Sequence, residues 1–124
     1  MPIKMVRVLL LEDYADLQKV AKRIAQIVSP RIEIVVVDCI EDFETAMEIS
    51  CSGGRPFNAV ILDNSVKGGR KALEEGLHLK IQSKFPKIKI ALNSSNHSYD
   101  EVPGMENLQK NFEDMEKFLK SLLK

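Results

Sequence analysis

Two apolar runs in this 124-residue chain stop abruptly at acid. Leu9-Leu10-Leu11 runs into Glu12-Asp13, and Ala59-Val60-Ile61-Leu62 runs into Asp63. Further along, the run Ile88 to Leu92 is followed by the hydroxyl of Ser94, and a weaker extended stretch ends at Lys110. Three carboxylates brought to one edge repel one another unless protons or a cation neutralise them, so Glu12, Asp13 and Asp63 favour an oxygen-ligated Mg²⁺ or Mn²⁺. Such an ion would also neutralise charge on an incoming phosphoryl group. Taken singly, each acid has an ordinary explanation: Asp13 could cap a helix and Asp63 could start an Asx turn. The same ending on two strands, with a hydroxyl and a lysine after the next two, favours the chemical reading.

Those residues can meet only if the elements before them lie side by side. Val6 to Leu11 is β-rich and apolar on both faces, as a strand in the middle of a sheet must be. Leu17, Val20, Ala21, Ile24, Ala25 and Val28 then recur at three- and four-residue spacing up to Ser29-Pro30, which predicts a helix. Ile32 to Val37 is a second apolar strand, and Phe43, Ala46, Met47 and Ile49 mark a shorter helix over Asp42 to Ile49. Gly53-Gly54-Arg55-Pro56 breaks the chain before the third strand, Ala59 to Leu62. Leu73, Leu77, Ile81 and Phe85 predict a third helix ending at Pro86, followed by the strand Ile88 to Leu92. A weak strand is expected around Asn107 to Lys110, and Phe112, Met115, Phe118, Leu119 and Leu122 predict a C-terminal helix. Strands alternating with helices over short connections imply right-handed crossovers and an α/β parallel sheet covered on both faces. In such a sheet functional groups gather at the carboxyl ends of the strands, which is where Glu12, Asp13 and Asp63 fall.

Composition narrows the function classes. The length suits one domain over residues 1–124. Lys plus Arg and Asp plus Glu are equal at 18 each, so no global field favours nucleic acid or an anionic membrane, and partners must be recognised locally. Cys39 and Cys51 are too few for a disulfide framework and have no second Cys or His at metal-ligand spacing, so they read as ordinary thiols. The N-terminal apolar run is only a few residues long and ends in two acids, which fits neither a signal peptide nor a membrane span and predicts a cytoplasmic location.

The order of acidic pair, single Asp, hydroxyl and lysine resembles the response-regulator receiver family over essentially the whole chain. The resemblance is carried by Leu9-Leu10-Leu11-Glu12-Asp13, Ala59-Val60-Ile61-Leu62-Asp63, Ile90-Ala91-Leu92-Asn93-Ser94-Ser95 and Lys110-Asn111-Phe112. It implies a flavodoxin-like, doubly wound five-stranded parallel sheet of order 2-1-3-4-5. It makes Asp63 the nucleophile toward a phosphodonor, with Glu12 and Asp13 placing the metal and the backbone carbonyl of Ser65 completing the metal shell. Ser94 would supply a hydroxyl and Lys110 an ammonium to the phosphoryl group, a sufficient set because phosphoryl transfer needs mainly positioning and charge neutralisation. The implied donor is a sensor histidine kinase or phosphotransfer protein and the implied output is a protein partner. Beyond its own phosphorylation and dephosphorylation the chain would not be an enzyme.

The pattern also departs from that family. The stretch from Asn64 to Gly76 is longer than usual and basic, with Lys67, Arg70 and Lys71. Asn111 stands where the family has a proline after the lysine, and Asn107 stands at the aromatic switch position, which rules out an aromatic rotamer switch there. Ser94 to Gly104 is too short and polar for a full amphipathic helix, so the fourth helix is expected to be shortened or absent. The surface around the last two strands and the C-terminal helix, with Lys117, Lys120 and Lys124, is then the expected output contact, self-association included. His78 and His97 are expected at the surface of a helix and in a loop, with no catalytic part. The leading expectation is a phosphorylatable switch; the alternative is a pseudo-receiver acting as a phosphorylation-independent protein-interaction domain. A small aspartyl-phosphate phosphohydrolase would usually carry a second Asp two residues after the first, where Ser65 stands, and a nucleotide-binding domain would need a glycine-rich loop after the first strand.

Overall fold

The computed structural model describes residues 5–63, 65–66, 70–72, 75–93, 105–108 and 110–124. Along the chain these form β1 (Val6–Leu11), α1 (Ala15–Val28), β2 (Ile32–Val37), α2 (Ile40–Ser52), β3 (Ala59–Leu62), β4 (Ser65–Val66), β5 (Arg70–Lys71), α3 (Leu77–Lys84), β6 (Lys89–Leu92), β7 (Glu106–Asn107) and α4 (Phe112–Ser121). Five strands build one sheet in the order β2-β1-β3-β6-β7, which is 2-1-3-4-5 when only its own strands are counted. Every pairing in it is parallel.

Two apolar layers flank the sheet, as alternation along each strand requires. Val8, Leu10, Ile61 and Ala91 pack on one side with Ala21, Ile24 and Ala25 of α1 and Met115, Phe118 and Leu119 of α4. Leu9, Leu11, Val60, Leu62 and Leu92 pack on the other with Phe43 and Met47 of α2 and Leu77 and Ile81 of α3. The central strands are buried on both faces, which explains why β1 and β3 read as continuous apolar runs rather than alternating ones.

Several boundaries differ from those expected. The helical stripe predicted from Leu73 begins only at Leu77, because Gly76 holds a left-handed φ of 71° and turns the chain immediately before it. The long basic stretch after β3 contains the antiparallel ribbon β4-β5. The last strand lies at Glu106–Asn107 rather than from Asn107 to Lys110. Val20, Ile49 and Phe112 sit on predicted apolar stripes yet are exposed: Val20 and Phe112 lie at the margin of their helices' buried faces, and Ile49 lies across α2 from Phe43 and Met47. Four helices are formed among the described residues, and the fourth is short at 10 residues. The stretch 94–104, where a shortened or missing helix was expected, lies outside the described residues.

Candidate functional site

Strand register assembles the site. Leu11 pairs with Leu62, Leu62 with Leu92, and Leu92 with Asn107, so the next residues along, Glu12, Asp63, Asn93 and Leu108, stand in a row across the sheet. Backbone bonds carry the pairing one step past the strands: Asp63 N–H donates to Leu11 O at 3.0 Å, Asn93 N–H to Leu62 O at 2.8 Å and Leu108 N–H to Leu92 O at 2.7 Å. Two acids more than 50 residues apart become neighbours because the sheet order sets β1 beside β3.

Glu12, Asp13 and Asp63 converge, with one oxygen from each lying within 4.8 Å of the others. Asp13 is exposed, whereas Glu12 and Asp63 are only 1% and 5% exposed. Tyr14, not Asp13, is the N-cap residue of α1, and its side chain makes no cap bond. Burial is the main cause that raises the Glu12 carboxyl from its usual range to about 7; the adjoining Asp63 carboxyl acts the same way, while the Tyr14 N–H and Lys110 act against them. Glu12 Oε2 accepts from Tyr14 N–H at 3.3 Å, and the Glu12 carbonyl accepts from the Gln18 side chain at 2.6 Å. Glu12 Oε1 is buried and has no hydrogen-bond donor among the described residues. Such an orphaned oxygen beside two further carboxylates must be met by a proton or by a cation, and an all-oxygen anionic donor set is one that a hard divalent ion takes.

On the other side of Asp63 stands Lys110, whose Nζ lies 3.6 Å from Asp63 Oδ2. The segment that carries it is not extended: Lys110 adopts a left-handed φ of 54° in a turn closed by Asn111 N–H to Leu108 O at 2.9 Å. Asn111, at the position where a proline was missed in the sequence, instead caps α4, its side-chain oxygen accepting from Glu113 N–H at 2.8 Å and Asp114 N–H at 3.3 Å. Asn93 was singled out by no property of its own in the sequence. Here it is buried and its side-chain oxygen accepts from Lys110 N–H at 2.7 Å. The available signal was an amide ending the apolar run Ile90-Ala91-Leu92, but its partner could be found only from the fold.

The remaining sequence candidates fare differently. Ser65 opens β4, so its backbone lies two residues beyond Asp63. Ser94 and His97 lie outside the described residues. His78 is on α3 as expected but is half-buried rather than a plain surface residue; its Nδ1 is buried without a hydrogen-bond partner among the described residues, and burial lowers its pKa.

No protein-family model and no curated protein sequence matches this chain. Solved structures do. An orphan response regulator of H. pylori superposes with a TM-score of 0.70 at 17% identity, covering 99% of this chain and 100% of that one. A phosphorylated cyanobacterial phytochrome response regulator gives 0.65 at 15% identity, over 95% of this chain and 91% of that one. The Mn²⁺-bound form of another response regulator gives 0.58 at 15% identity, over 94% and 91%. Together with the 2-1-3-4-5 parallel sheet, these likenesses over nearly the whole length show that the chain has the fold of response-regulator receiver domains.

Proposed function

We propose that the chain is the phosphoacceptor module of a two-component phosphorelay, taking a phosphoryl group on Asp63. The observation that carries this reading is the convergence of Glu12, Asp13 and Asp63 at one sheet edge, with the Lys110 ammonium 3.6 Å from Asp63. An Asp63 carboxylate oxygen forms the new O–P bond while the donor's own bond to phosphorus breaks and its leaving group departs with the electron pair. Lys110 balances charge on the phosphoryl oxygens, and Ser94 is assigned the hydroxyl that bonds another of them. Glu12, Asp13 and Asp63, with the Ser65 carbonyl, would hold Mg²⁺ or Mn²⁺. That ion supplies positive charge against the phosphoryl oxygens and against the carboxylates themselves. The Mn²⁺-bound neighbour supports such a cation, and the phosphorylated neighbour supports the acceptor role.

A histidine kinase or phosphotransfer protein is the donor that fits this chemistry, and the output is a protein contact made in a cytoplasmic setting. Among the described residues no helix is long and apolar enough to cross a membrane. Incubation with acetyl phosphate and Mg²⁺, followed by mass spectrometry, is expected to add one phosphoryl group at Asp63 and none in Asp63→Asn. An unmodified wild-type chain, or a label on another residue, would sink the reading.

A further inference from the structure

Asn93 is the buried polar side chain at this edge that the proposed chemistry leaves without a task. It is 5% exposed, and the sheet register sets it directly beside Asp63. A buried amide costs stability unless it is bonded, so what it bonds to is informative. Its side-chain oxygen accepts the backbone N–H of Lys110, 17 residues on, at 2.7 Å. Lys110 in turn holds a left-handed φ of 54°, a conformation that a residue with a Cβ keeps only when its surroundings impose it. Two asparagines impose it: Asn93 from β6, and Asn111, whose N–H closes the turn on Leu108 O at 2.9 Å and whose side chain begins α4.

We infer that Asn93 is a positioning residue, its carboxamide oxygen fixing the Lys110 turn so that the ammonium stands beside Asp63. This rests on the phosphoacceptor reading and adds a residue to it. In this role Asn93 acts through its bond to the backbone from which the Lys110 side chain starts. A flexible four-carbon stem is oriented best by fixing its origin, and small displacements of a charge-neutralising group lower the rate of the step it serves. Leucine, close to asparagine in size and shape, would fill the same space while leaving the Lys110 N–H without its acceptor.

The test is a double-mutant cycle read as the rate of phosphorylation by acetyl phosphate in saturating Mg²⁺, for wild type, Asn93→Leu, Lys110→Ala and the double variant. Asn93→Leu is expected to slow the reaction roughly tenfold, the size of one lost hydrogen bond, and to change it by less than about twofold once Lys110 is already alanine. Hydrogen exchange at the Lys110 amide, followed by NMR, is expected to quicken in Asn93→Leu while amides of β1 and β3 keep their protection. Should Asn93→Leu not fold, Asn93→Ala replaces it in the same cycle. A wild-type rate in the single variant, or an equal slowing in both Lys110 backgrounds, overturns the inference and leaves the phosphoacceptor reading standing. A wild-type chain that takes no phosphoryl group overturns that reading, and the inference with it.

Discussion

At the scale of single residues, Glu12 is a group whose chemistry the fold changes strongly. Its carboxyl is raised from 4.5 to about 7 chiefly by burial, so the folded chain holds the proton more tightly than the unfolded one. The stabilisation this provides is fully present below pH 4.5, the unfolded value, and is lost as pH rises through about 7. In metal-free buffer, urea midpoints are expected to fall across that window by up to about 3 kcal/mol in unfolding free energy, and Glu12→Gln is expected to remove that part of the slope. Parallel pH profiles for the two proteins would show that Glu12 ionises normally. Lys110 supplies a second residue-scale prediction, because its backbone and its ammonium serve different ends. Lys110→Gly is expected to be more stable than Lys110→Ala by about 1 kcal/mol, since glycine adopts a positive φ without a Cβ clash. Both variants are expected to lose phosphorylation rate alike, as measured by thermal unfolding beside the acetyl phosphate assay.

At the scale of elements, the site depends on where strands stop and helices start. Each of β1, β3 and β6 ends one residue short of a polar side chain that the adjoining strand keeps in line. The turn after β7 then has to swing the chain from the sheet edge into α4, and Asn111 makes that change of direction by capping Glu113 N–H and Asp114 N–H. Asn111→Ala is expected to cost about 1 kcal/mol of stability through the lost cap, with Asn111→Ser largely restoring it. Because α4 packs through Met115, Phe118 and Leu119 on the same layer as α1, the loss should appear in global urea unfolding rather than as fraying of one helix. An Asn111→Ala chain as stable as wild type would mean that the cap contributes nothing.

At the scale of the whole molecule, the sheet edge concentrates negative charge in a chain whose total charge is zero. An ion that binds only the folded state stabilises it by mass action. Millimolar Mg²⁺ is therefore expected to raise the melting temperature, with a larger shift at pH 8 than at pH 5 because Glu12 must give up its proton to bind it. Asp13→Asn is expected to shrink the shift without disturbing the core, since Asp13 is exposed. A melting temperature indifferent to Mg²⁺ in wild type would exclude a metal site here. The output surface expected around β6, β7 and α4 adjoins residues 94–104, which lie outside the described residues.

The amino-acid order by itself determined the α/β class, the strand order through its resemblance, and the acids at the ends of β1 and β3. Those features are legible because they are local: an apolar β-branched run must be buried, and a carboxylate following it can sit only where the strand leaves the core. The caps at Asn111 and Gly76 and the true starts of α3 and β7 were not legible. The Asn111 cap and the Gly76 turn, closed by Leu77 N–H to Ala72 O at 3.0 Å, are local but leave no apolar periodicity to read, whereas the start of β7 depends on Leu92 pairing with Asn107 across the sheet. Only the tertiary structure decided that Lys110 is held in a left-handed turn and that Asn93 holds it. A hydrogen bond between residues 17 apart leaves no periodicity to read, whereas a sheet register that sets Asn93 beside Asp63 and Leu108 brings its side chain within reach of Lys110.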